Sequence, residues 1–131
     1  MMLPTHALVG LLIAVPVVSM APEATDLVLL AGLAGGVFPD LDMYIGHRKT
    51  LHYPVVFSLA SVFAVLVAVL LPSQVAIAGA IFLVAAAVHS VSDMFGGGLE
   101  LRPWEATSDR AVYDHFRGKW IQPRRWVYYD G

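Results

Sequence analysis

Histidine and aspartate recur along this chain in a few short groups: His6; Asp40 and Asp42 in Pro39-Asp40-Leu41-Asp42; His47 and His52; and His89 with Asp93. Neutral imidazole combined with carboxylate suits zinc first, with manganese or iron as alternatives. His89 and Asp93 are spaced to share one face of a helix, where a ring nitrogen and a carboxylate oxygen can aim at a common point. Asp40 and Asp42 follow a proline, and extended or turn backbone there would present both carboxylates to one or two cations. The expected chemistry is that of one or two bound divalent ions, with Asp40, Asp42 and Asp93 as candidate catalytic carboxylates. Any of them not bound to metal is placed to act as a general base. The chain has no cysteine, which excludes disulfides, thiolate ligands and a cysteine nucleophile.

Long stretches of sequence separate these groups, so the intervening elements must bring them together. The 131 residues are 58% hydrophobic and 14% charged, with a mean hydropathy of +0.70. A soluble domain of this size has too little interior to hide so much apolar surface, and lipid is the natural solvent. Leu3 to Ala21 is apolar apart from His6, and Pro54 to Leu71 carries no charge. Val75 to Phe95 is apolar until His89 and Asp93 enter its last turns. Leu27 to Phe38 is shorter, but Pro22 and Glu23 suit a helix start, Pro39 a stop, and Gly32-x-x-x-Gly36 a close helix contact. The expectation is an all-α membrane protein with four transmembrane helices over residues 1–95 that carry the metal site. Residues 96–131 then form a charged, aromatic, interfacial cytoplasmic tail. Ser19-Met20-Ala21 resembles a signal-peptide cleavage site, but no Lys or Arg precedes it, so the first segment reads as a retained span.

Arg48 and Lys49 lie between the second and third segments and the other six cations follow Gly96. The positive-inside rule then places both termini and the middle loop of a multi-pass membrane protein in the cytoplasm. On that topology His6, Asp40, Asp42, His47, His52, His89 and Asp93 all reach the cytoplasmic ends of the spans. Singly, each has a plainer reading: a histidine at the interface is usually just hydrogen-bonded, and aspartates after a proline often close a turn. Together they read as metal ligands, because His89 and Asp93 facing lipid without partners would cost several kcal/mol. Arg48 and Lys49 are candidate phosphate-binding residues, set against a plain role in anchoring the loop. The tail, with Trp104, Tyr113, Phe116, Trp120, Trp126, Tyr128 and Tyr129, reads as a cap at headgroup depth and a candidate protein-binding surface. Arg117-Gly118 is a weak hairpin signal. The closing Asp130-Gly131 does not read as a structural stop, which leaves room for further residues. A faint parallel repeat sets Thr5-His6 and Pro39-Asp40-Leu41-Asp42 against Thr50-Leu51-His52 and His89-Ser90-Val91-Ser92-Asp93.

Thr5-His6, Gly36-Val37-Phe38-Pro39-Asp40-Leu41-Asp42, Gly46-His47-Arg48 with Leu51-His52, and His89-Ser90-Val91-Ser92-Asp93 together resemble the YdjM-like inner-membrane metal-dependent hydrolases, over about residues 3–104. That resemblance implies distant kinship with zinc-dependent phospholipase C, phosphoester chemistry on clustered zinc, and these histidines and aspartates as ligand positions. Tyr53-Pro54 after His52 departs from the small hydroxyl residue expected there. The functional expectation is a membrane-embedded hydrolase of a lipid or other amphiphilic phosphoester, with membrane lipid rather than nucleic acid as its partner. The alternatives are a metal or proton transporter, whose site would sit nearer the midplane between inverted repeats, and a noncatalytic, metal-stabilised membrane scaffold.

Overall fold

A computed structural model describes residues 3–99 and 105–126 of the chain; Trp104, Tyr128, Tyr129 and the Asp130-Gly131 end of the tail lie outside them. Four α-helices run in the order α1 (Leu3–Met20), α2 (Thr25–Val37), α3 (Pro54–Leu70) and α4 (Gln74–Phe95). A short antiparallel hairpin of β1 (Val112–Asp114) and β2 (Lys119–Ile121) follows. Proline opens α3, where its missing N–H costs nothing. Ser73 caps α4 by accepting the Ala76 N–H at 3.0 Å. Three helical segments are long and apolar enough to cross a membrane, Leu3–Met20, Pro22–Tyr44 and Gln74–Phe95, while α3 is a shorter apolar helix of 17 residues.

The packing is inside-out relative to a soluble bundle. Ala14, Ala24, Ala85 and Ala86 are buried, whereas Leu8, Leu12, Leu30, Phe63 and Leu66 each expose more than half their surface. Small residues inside and large apolar ones outside are what helices need when lipid, not water, surrounds them. The centre of the bundle is α2, which packs against both α1 and α4, with α3 on the outer side of α4. Its glycines permit this. A Cβ at Gly36 would strike the His6 carbonyl and one at Gly32 the Gly10 carbonyl, so the two backbones run almost in contact.

At the end of α2 the structure departs from the extended or turn backbone expected after Pro39. Helical winding continues through Pro39 and tightens into a 3-10 segment, Phe38–Tyr44. Proline near the start of such a segment fits, because its φ is already helical and it has no N–H to place. The consequence is directional. With about three residues per turn, positions two apart diverge instead of sharing a face, so Asp42 meets His52 at Nδ1 while Asp40 meets it at Nε2 and reaches His89.

The tail folds back on the same end of the bundle. The Tyr113 N–H donates to the Arg48 carbonyl at 2.9 Å, and the Arg124 and Arg125 N–H groups donate to the Met94 and Gly96 carbonyls at 3.0 Å each. Gly118, at φ +65°, supplies the left-handed residue of the hairpin turn.

Candidate metal centre

The last turns of α4 carry His89 and Asp93 on its buried side. His89 donates Nδ1–H to the Gly36 carbonyl at 2.6 Å, which turns its Nε2 towards the centre of the group. That atom is buried and makes no well-aligned hydrogen bond, and it lies 3.2 Å from Asp40 Oδ1 and 3.4 Å from Asp93 Oδ2. Carboxylates and imidazole nitrogens packed this closely out of water are costly unless protons or a cation sit among them.

His52 reaches the same point from the loop before α3. It donates Nδ1–H to Asp42 Oδ2 at 2.8 Å and turns Nε2 towards Asp93 Oδ2 at 3.2 Å and Asp40 Oδ1 at 3.8 Å. One donor atom from each of Asp40, His52, His89 and Asp93 lies within 4.8 Å of the other three, and all four residues are buried. The ligands of a tetrahedral ion at about 2.0–2.1 Å are separated by roughly 3.4 Å. The four His–Asp distances, 3.2 to 3.8 Å, match that spacing. This group could therefore hold a metal ion. In each histidine the nitrogen away from the centre is held by a carbonyl or carboxylate, the usual arrangement around a metal-binding imidazole.

The remaining candidates surround this group. Asp42 is fully buried and accepts hydrogen bonds from the Arg48 and Leu51 N–H groups and from His47 and His52. Both its oxygens are thereby engaged in holding the loop and in aiming His52. His6, at the start of α1, lies 3.0 Å from Asp93 Oδ1 through Nε2 and stacks on the His89 ring with centroids 3.5 Å apart. His6 and His52 thus approach opposite oxygens of Asp93, a geometric counterpart of the faint repeat. His47 is half-exposed, 3.1 Å from Asp42 and 4.0 Å from Asp40. The least covered member of the four-residue group is Asp40, whose side chain is 7% exposed against 1% or less for the others.

Arg48 is buried and adopts φ +59°, a left-handed conformation that costs a non-glycine residue about 1 kcal/mol. Its guanidinium donates to the Gly97 carbonyl at 2.7 Å, and its Nε lies 3.6 Å from Asp93 Oδ2. Lys49 is exposed and its ammonium sits over the Tyr113 ring at 4.4 Å. His115, on the tail, donates to the Lys49 carbonyl at 2.6 Å and packs on Tyr53. Burial acts against a charged His52, but hydrogen bonds to Asp42 and Asp93, reinforced by their charges, outweigh it and raise its pKa above the ordinary value.

Sequence reasoning missed the part played by the Gly36 carbonyl. The one signal for it is Pro39, since the 3-10 hydrogen bond that would close on Gly36 needs an N–H at residue 39, which proline lacks. It also missed the burial of Arg48, which depends on tail residues far away in sequence. In comparison with known proteins, the chain matches no protein-family model, no curated protein and no solved structure.

Proposed function

We propose that this protein is a membrane-embedded, metal-dependent hydrolase acting on an amphiphilic phosphoester at the cytoplasmic face of the inner membrane. On this reading α3 completes a fourth span and both termini are cytoplasmic. The observation that carries the reading is the buried group of Asp40, His52, His89 and Asp93, whose donor atoms converge at His–Asp distances suited to an ion. Its position at the ends of the helices, and the motif resemblance to YdjM-like hydrolases, favour hydrolysis over transport, because transporter sites tend towards the midplane.

A divalent cation in this group, zinc by its nitrogen and oxygen donors, would lower the pKa of a water towards about 7 and polarise a phosphoryl oxygen. His89, His52 and Asp93 hold and orient, each fixed by a buried partner. Asp40 lies on the solvent side, so it is the carboxylate placed to yield a coordination position or to accept a proton from an incoming water. Asp42 keeps the His52 tautomer fixed. Arg48 offsets the negative charge of Asp93, its Nε lying 3.6 Å from Oδ2.

Elemental analysis of detergent-solubilised protein, beside a His89→Ala, Asp93→Ala variant, tests the site. A broad panel of lipid and model phosphoesters tests the chemistry. Chelation should abolish turnover and leave helicity intact. A folded, metal-loaded preparation that hydrolyses nothing in the panel would instead support the metal-stabilised scaffold.

A further inference from the structure

Beside the candidate metal centre a cleft of about 510 Å³ opens between the start of α3, the end of α4 and the tail hairpin. Its helix side is apolar, formed by Val55, Leu59, Val91, Met94 and Phe95. Tyr53 and Met94, which line it, are the chain neighbours of His52 and Asp93, while Asp40, His52, His89 and Asp93 are not among its lining residues. Val55 and Leu59 are also well exposed, so the cleft is open sideways, towards the hydrocarbon layer of a bilayer.

The tail side has the opposite chemistry, with Arg117 and Arg124 among its lining residues. Asp114 partly offsets Arg117, its carboxylate lying 3.6 Å from the guanidinium. Arg124 is exposed. Its guanidinium stacks over the Phe95 and Trp126 rings at 5.8 and 5.1 Å, and its N–H is tied to the Met94 carbonyl. A cation braced by rings at the end of an apolar channel offers an anion site and a hydrocarbon site in one place.

We infer that this cleft binds one anionic phospholipid, with an acyl chain along Val55, Leu59 and Val91 and the phosphate at Arg124 and Arg117. Because the cleft is lined by none of Asp40, His52, His89 and Asp93, this lipid site does not depend on the hydrolase reading. The charge at the tail side is what commits the cleft to an anionic lipid. A purely apolar groove would take any acyl chain, whereas fixed guanidinium groups discriminate by headgroup.

Delipidated full-length protein in detergent is titrated with phosphatidylglycerol or phosphatidylcholine, and bound lipid is counted by native mass spectrometry while metal is measured on the same samples. The expected result is about a ten-fold preference for phosphatidylglycerol, corresponding to roughly 1.4 kcal/mol. Arg124→Gln should remove most of that preference. Leu59→Trp, on the exposed edge of the cleft, should reduce binding of both lipids. Equal retention of the two lipids by the wild type, or a preference that neither substitution alters, would overturn the inference. A preference that persists in protein binding no metal would support the lipid site while overturning the hydrolase reading.

Discussion

The Nδ1–H of His89 donates to the Gly36 carbonyl at 2.6 Å, and this one bond decides which ring nitrogen faces Asp40 and Asp93. Asp42 does the same for His52 from the other side of the group. Both histidines thereby turn Nε2 inward, where each ring binds a cation once that nitrogen has lost its proton.

That distinction separates ligand from orienting residue by experiment. His89→Ala should abolish stoichiometric metal binding. Asp42→Asn keeps a side chain of the same shape but replaces one acceptor oxygen with a donor, and should weaken metal binding by about 10–100-fold, the usual cost of losing an orienting partner. Competition with a chelator of known affinity measures both. Equal and complete loss in the two variants would place Asp42 among the ligands.

Metal affinity should rise with pH. Burial disfavours a charged His52, yet its bonds to Asp42 and Asp93 raise its pKa in the metal-free protein. Its Nε2 must lose a proton before it can bind an ion. Because the folded value lies above the unfolded one, the charged ring stabilises the metal-free fold below pH of about 6.5. That contribution fades as pH rises through the raised value. Binding isotherms should therefore be tighter at pH 8 than at pH 6, with proton release on binding, while the metal-free protein loses stability over the same interval. An affinity independent of pH would count against His52 as a ligand.

Gly36→Ala should cost about 1–3 kcal/mol, the usual range for overpacking, since the new methyl group would meet the His6 backbone. Gly79→Ala is the matched control. Nothing lies within 4 Å of a Cβ there, and exchanging a mid-helix glycine for alanine should stabilise by about 0.5–1 kcal/mol. Thermal melts in detergent read both, and equal behaviour of the two variants would refute the close contact of α1 with α2.

Reporter fusions test the proposed orientation. Fusions after residues 22 and 73 should report outside, and one after residue 47 inside. The reverse pattern would remove the cytoplasmic placement of the metal centre.

Much of the site was legible because it depends on coarse physics. Alternating apolar segments bring His6, Asp40, His52, His89 and Asp93 to one end whatever the finer geometry, and carboxylates and imidazoles at helix ends need partners. What differed depended on local winding. Reading the backbone after Pro39 as extended or turn made Asp40 and Asp42 equivalent, whereas the 3-10 winding gives Asp40 to the four-residue group and Asp42 to the loop. The burial of Arg48 was not legible because nothing near it in sequence announces the carbonyls of Gly97 and Ala111 that it meets. The hairpin that covers it was only faintly marked by Arg117-Gly118, since strands of three residues carry little periodicity.

The contact between His6 and Asp93 spans 87 positions of sequence, which imposes an order on biogenesis. At about 5–20 residues per second, roughly 4–17 s separate the synthesis of the first partner from that of the second. On the proposed topology, His6 and Asp40 would during that interval already belong to inserted helices but lack α4, and near the bilayer midplane each would be stranded in hydrocarbon. Placement at helix ends lets headgroups and water solvate them while translation continues. The ion-binding group then forms only when α4 arrives, so metal capture would mark a chain whose membrane insertion is complete.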